Sequence, residues 1–91
     1  MRATQFKNLK KGDLFFFNEI QNQGEPELLW HQAREVTQNE IHTRRISRPR
    51  HKLVISNGKP SAGVIFDHLV NHADMPKLIN DHGNRPVIIF Q

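Results

Sequence analysis

Gly12-Asp13-Leu14-Phe15-Phe16-Phe17 is the stretch whose reading decides the fold. Leu14 to Phe17 is a strongly β-favouring run of large apolar side chains. In an extended chain successive side chains point to opposite faces, so Leu14 and Phe16 share one face while Phe15 and Phe17 share the other. Both faces are apolar. A strand of this kind is expected to be covered on both sides.

The pattern extends outward from this strand. Lys7 to Asp13 reads as a polar lead-in and turn, and Asn18 to Glu27, which contains Gly24 and Pro26, as a loop. Leu28 to Thr37 fits two templates. Leu28, Trp30 and Val36 fall on one side of a strand, but Leu28, Leu29, Gln32, Ala33 and Val36 also form a helical stripe. The strand is favoured because Gln38-Asn39-Glu40 makes a hairpin turn into Ile41 to Ile46. Pro49 interrupts the next segment, which makes Ser47 to Arg50 a loop, bulge or sheet edge. Lys52 to Ser56 resumes a β pattern, and Asn57-Gly58-Lys59-Pro60 is a turn signal.

Beyond that turn the period changes. Ile65, Phe66, Leu69, Val70 and Ala73 lie on one side of a helix. Asp74 is placed to cap a short second helix with Pro76 near its start, Leu78 and Ile79 inward and Gly83 at its end. Pro86 to Phe90 closes the chain as an apolar strand. The expected order is β-β-β-β-α-α-β. This is an α+β domain: a small, strongly bent antiparallel sheet or partly open barrel, with one or two C-terminal helices before a final strand.

The spacing Phe6-x-x-Leu9-x-x-Gly12-Asp13-x-Phe15 resembles the start of small SH3-like barrel proteins of bacteria and their phages. In that family the Gly-Asp turn leads into the first barrel strand. The likeness is confined to this short stretch. It implies a barrel-like first half and no particular activity.

The chain has 91 residues, which suits a single domain spanning 1–91, with 36% apolar residues and no cysteine. Neither disulfides nor thiolate metal sites can hold the fold. Met1 to Lys11 lacks the apolar core of a signal peptide, and no apolar run reaches the roughly 20 residues of a membrane span. A cytoplasmic protein without a membrane partner is expected.

Charge is unevenly placed. From Ile41 to Phe66 there are six cations (Arg44, Arg45, Arg48, Arg50, Lys52 and Lys59) and no carboxylate. The rest of the chain carries seven cations and nine anions. Such a concentration attracts anionic partners. Arginine suits phosphate because its planar fork stays charged and donates paired hydrogen bonds. Arg44, Arg45, Arg48, Arg50 and Lys52 are therefore the candidate nucleic-acid contacts. Arg34 joins them on the neighbouring strand, and Trp30 is a candidate stacking platform for an unpaired base. The competing reading is a charged sheet edge that discourages aggregation.

Other chemistry finds little support. His68 and His72 have helical i, i+4 spacing, with His82 as a third imidazole, but Leu69 stands where a zinc-protease motif has glutamate. These histidines read as a polar helix edge, and no metal or other cofactor is expected. Ser47, Ser56 and Ser61 sit in no nucleophile elbow, and Gly58 and Gly63 form no phosphate loop. Glu25 and Glu27 lie in the expected loop.

The leading expectation is a non-enzymatic binding module whose basic surface contacts nucleic-acid backbone with little base specificity. The alternative is a small adaptor or inhibitor that binds another protein through its Phe-rich or basic surface. A homodimer through one face of the phenylalanine strand is also open.

Overall fold

The computed structural model describes residues 1–19 and 29–91. Most of the expected loop, with Glu25 and Glu27, and the first residue of the expected second strand, Leu28, lie outside the described residues. The strands are β1 (Arg2–Gln5), β2 (Leu14–Phe17), β3 (Trp30–Val36), β4 (Glu40–Arg45), β5 (Arg50–Ser56), β6 (Lys59–Ile65), β7 (Met75–Leu78) and β8 (Pro86–Ile89). A 3-10 turn spans Phe6–Asn8, and a single α-helical turn, α1, spans Ile79–His82.

Six strands form one antiparallel sheet in the order β1-β8-β2-β3-β4-β7, and β5 with β6 forms a separate two-stranded ribbon. The phenylalanine strand lies inside the large sheet, paired with β3 on one side and β8 on the other. Its alternation builds two cores. Phe15 and Phe17 join Phe6, Leu9, Ala33, Ile41, Val87 and Ile89 on one face. Leu14 and Phe16 join Trp30 and Ile46 on the other, where Phe66, Ile88 and Phe90 pack against them half-buried. Each fully buried Phe contributes roughly 1.5–3 kcal/mol of transfer free energy.

The ends of β2 and β8 are tied by a charged clamp. The Arg85 guanidinium donates to both Glu19 carboxylate oxygens and lies 3.8 Å from the centroid of the Phe17 ring. The hydrogen bond from Arg85 holds the Glu19 carboxyl below the usual carboxylate range, against the opposing effect of its burial.

This mostly β arrangement overturns the expected α+β domain with its bent sheet or partly open barrel and C-terminal helices. The physical cause begins at Asn57 and Gly58, whose φ values are 53° and 75°. Two consecutive positive φ angles are the pattern of a tight type I′ hairpin turn. They return Lys59–Ile65 along β5 in continuous register from Ser56↔Lys59 to Arg50↔Ile65. Ile65 is thereby committed to a strand. The segment after it forms turns, anchored by an isolated bridge between Ile46 and His68. Val70, expected on a buried helical stripe, is 83% exposed.

The second expected helix also begins too early. Met75–Leu78 is the edge strand β7, paired with β4. Pro76 is compatible with that position because an edge strand leaves one side without ladder bonds. Only the last turn remains helical, and Gly83 closes it by donating its N–H to the Ile79 carbonyl at 2.7 Å. One further strand, β1, arises from Arg2–Gln5 next to the expected polar lead-in.

Candidate nucleic-acid interface

Of the seven sequence-derived candidates, the six cations divide into two environments. Arg34, Arg44 and Arg45 belong to the large sheet and are half-buried. Arg48, Arg50 and Lys52 are exposed, in the entry to the ribbon and on β5. Trp30 belongs to neither group. It is 4% exposed, with its ring edge-on to Phe16 at 4.8 Å and to Phe90 at 5.8 Å. The expectation that Trp30 stacks on a base is therefore corrected: its indole is a core side chain, because its strand faces the second apolar cluster.

Strand alternation separates the sheet arginines further. Gln32 pairs with Arg44 and His31 with Arg45, so the two arginines emerge on opposite faces. Arg34 occupies an irregularity in the β3–β4 ladder. Its Nη1 lies 3.4 Å from both Gln32 Oε1 and His68 Nε2, and its Nε is 3.6 Å from the Asp74 carboxylate. It is engaged within the protein. His68 is held by the same group, 2.9 Å from Gln32 Oε1, and burial beside Arg34 and Arg44 lowers its pKa.

On the opposite face, His31 stacks on Phe15 at 5.5 Å. Its pKa is lowered to about 4, first by burial and then by the positive field of Lys77, Arg45, Arg85 and His72. Burial also lowers the pKa of Lys77, whose ammonium donates to Thr43 Oγ1 at 3.3 Å. Arg45 is thus part of a half-buried cationic group against the first core, facing away from Arg44.

The ribbon presents its charges differently. Its register places Arg50, Lys52, Val54 and Ser56 on one face together with Lys59, Ser61, Gly63 and Ile65. The other face carries His51, Leu53 and Ile55 opposite Val64, Ala62 and Pro60. One face is cationic and the other apolar, with Leu53 72% and Ile55 69% exposed. Gly63 is needed where it stands: a Cβ there would lie 2.7 Å from Val54 Cγ2 and 3.5 Å from Lys52 Cε. Its missing side chain lets those two side chains lie across the cationic face. β5 and β6 pack chiefly against each other, so most of the ribbon stands clear of the sheet.

At the ribbon's base, beside the second core, lies an open cleft of about 660 Å³. Arg48, Arg50, His51, Phe66, Asp67 and Phe90 contribute to its walls. His51 stacks on Phe90, with centroids 4.8 Å apart and planes inclined by 29°. In the lining of the same cleft, Ser47 clamps Asp67. Ser47 Oγ accepts from the Asp67 N–H at 2.9 Å, and the Ser47 N–H donates to the Asp67 carbonyl at 2.7 Å.

Sequence reasoning did not single out Lys59, His51, Phe66 or Phe90 as site residues. For Lys59 and His51 a signal existed, since a hairpin centred on Asn57-Gly58 fixes which residues share each ribbon face. Phe66 and Phe90 carried none, because only the return of the chain brings them to the cleft. No group of three or more His, Cys, Asp or Glu side chains capable of holding a metal occurs among the described residues. The chain matches no protein-family model, no curated protein and no solved structure.

Proposed function

We propose that this protein is a non-enzymatic nucleic-acid-binding module whose β5–β6 ribbon and its entry loop contact the phosphate backbone. One observation carries the reading. Arg48, Arg50, Lys52 and Lys59 are exposed on and beside a projecting ribbon, and the chain from Ile41 to Phe66 contains no carboxylate. Exposed cations can exchange counterions for phosphates, whereas half-buried arginines such as Arg34 are already engaged. Phosphate contacts position a protein without reading bases, so little sequence preference is expected from this face.

The test is a binding titration at several salt concentrations. Four contacts give a log–log salt slope of about −3.6 on duplex DNA, or about −2.8 on a single strand. Replacing Arg48, Arg50 and Lys52 with Ala should flatten the slope by roughly 2 to 3 units. The same number of changes at Arg34, Arg44 and Arg45 should flatten it far less. No binding of any oligonucleotide at low salt, or equal effects from both triple variants, would overturn the proposal.

A second reading draws support from the other face of the ribbon. Leu53, Ile55 and Val64 form an exposed apolar stripe suited to a protein partner. The phenylalanine strand is not available for that role, since all four of its side chains are buried. Leu53→Lys combined with Ile55→Lys separates the readings: it would abolish protein capture and leave salt-dependent oligonucleotide binding in place.

A further inference from the structure

The cleft at the ribbon's base contains the chemistry that the buried Trp30 lacks. We infer that it is a site for an unpaired base of single-stranded nucleic acid, with His51 as the stacking platform and Arg48 on an adjoining phosphate. The inference rests on the nucleic-acid reading above and narrows it to a strand class.

The argument starts from His51. Its side chain is exposed, and one face of its ring is backed by Phe90. Among the described residues it has no second ring partner. A ring already held flat loses little conformational freedom when a base extends the stack, which is the general advantage of preorganisation. Base–aromatic stacking is tolerant of sequence because every base offers a π face.

Charge then places the backbone of the strand. Arg48 is exposed in the loop that enters the ribbon and lines the cleft beside His51. It is placed for a phosphate next to a stacked base, whereas Arg50, on the opposite face of β5 from His51, meets the backbone as it leaves the cleft over the cationic face. Asp67 is the cleft's one carboxylate among its lining residues, and it repels phosphate. It therefore belongs opposite the base edge, where it can accept from an exocyclic amino group. Cytosine and adenine carry such a group and thymine does not. A paired base presents neither a free face nor a free edge to the cleft, so duplexes are excluded from this site although their backbone can still meet the ribbon.

The experiment compares homopolymeric deoxycytidine, deoxyadenosine and deoxythymidine strands, a duplex of equal length, and cytidine monophosphate. Each is titrated against wild type, His51→Ala, His51→Phe and Asp67→Asn. Emission from Trp30, the only tryptophan in the chain, reports that each variant keeps the core beside Phe90. His51→Ala should weaken single-strand binding about 5- to 150-fold, the measured range for losing one stacked base. It should leave the salt slope and duplex binding unchanged. His51→Phe should restore affinity, and Asp67→Asn should weaken the preference for cytosine and adenine over thymine, because the neutral amide also donates to the thymine O4.

Equal affinity of wild type and His51→Ala for every strand, with the salt slope intact, would overturn the base site and leave the backbone-binding reading standing. Equal weakening of duplex and single-strand binding by His51→Ala would overturn it as well. Cytidine monophosphate binding as tightly as the strand would replace a nucleic-acid strand with a free nucleotide. Absence of any salt-dependent binding would remove the parent reading instead.

Discussion

The large sheet and the β5–β6 ribbon draw on similar residues, β-branched and aliphatic side chains interspersed with arginine and lysine, and make opposite use of them. In the sheet, both faces of β2 are covered, and the arginines of β3 and β4 are half-buried among histidines, a glutamine and an aspartate. In the ribbon, leucine, isoleucine and cations alike stand in solvent. The difference teaches that residue type does not settle a cation's role. Arg34 and Arg50 are chemically the same, yet one is a structural donor and the other is free to meet an anion. What separates them is the number of neighbouring strands.

The largest expected contrast is in stability. Phe15→Ala or Ile89→Ala should cost about 2–5 kcal/mol, because each empties a packed site in the first core. Leu53→Ala on the ribbon should cost less than about 0.5 kcal/mol, since the leucine is mostly exposed. Denaturant melts measure both. A Leu53→Ala cost that matches Phe15→Ala and depends on protein concentration would show that the ribbon's apolar face is covered by a second copy.

Acid sharpens the same comparison. His31 is half-buried in the sheet, where burial and the surrounding cations favour the neutral imidazole and lower its folded pKa from 6.5 to about 4. A base whose folded pKa is depressed supplies stability that is complete above its unfolded pKa and is lost as pH falls. The loss should therefore begin near pH 6.5, total on the order of 3 kcal/mol, and level off near pH 4. His68 acts in the same direction. The Glu19–Arg85 clamp contributes separately at lower pH, because a depressed carboxylate loses its stabilising effect only as acid protonates it. Melts of His31→Asn should show a shallower decline between pH 6.5 and 4.5 than wild type. An identical decline would refute the buried neutral state.

A smaller effect is expected at the ribbon's tip. Gly58→Ala places a side chain at φ 75°, where non-glycine residues are strained. The ribbon packs mainly on itself, so the strain should appear locally. Backbone amides of β5 and β6 should exchange faster, with a cost to the global melt below about 1 kcal/mol. Equal acceleration in β2 and β8 would mean that ribbon and sheet unfold as one unit.

Several parts of this architecture were legible in the chain. The alternation of Leu14 to Phe17 foretold a strand with two covered faces, and the turn at Gln38-Asn39-Glu40 favoured pairing of β3 with β4, as observed. The C-terminal region was misread because Ile65, Phe66, Leu69, Val70 and Ala73 satisfy a helical period while Lys59 to Ile65 has a hydrogen-bonding partner elsewhere. Seven aligned residues of β5 outweigh a local preference that sequence spacing alone can suggest. Trp30 shows the same limit at the candidate site. Its flanking residues permit either core or platform, and only the packing of Phe16 and Phe90 against its ring makes it core.

The amino-acid sequence by itself determined the concentration of six cations without a carboxylate between Ile41 and Phe66, the turn at Asn57-Gly58 and the two-faced character of β2. These are local quantities, set by composition, by dihedral preference and by a period of two. The tertiary structure alone decided which cations remain exposed, that Trp30 is enclosed, and that His51 rests on Phe90 beside a cleft that Asp67 also lines. Those outcomes depend on contacts between residues far apart in the chain. Burial and electrostatic fields follow distance in space, and distance in space is not encoded by any one segment.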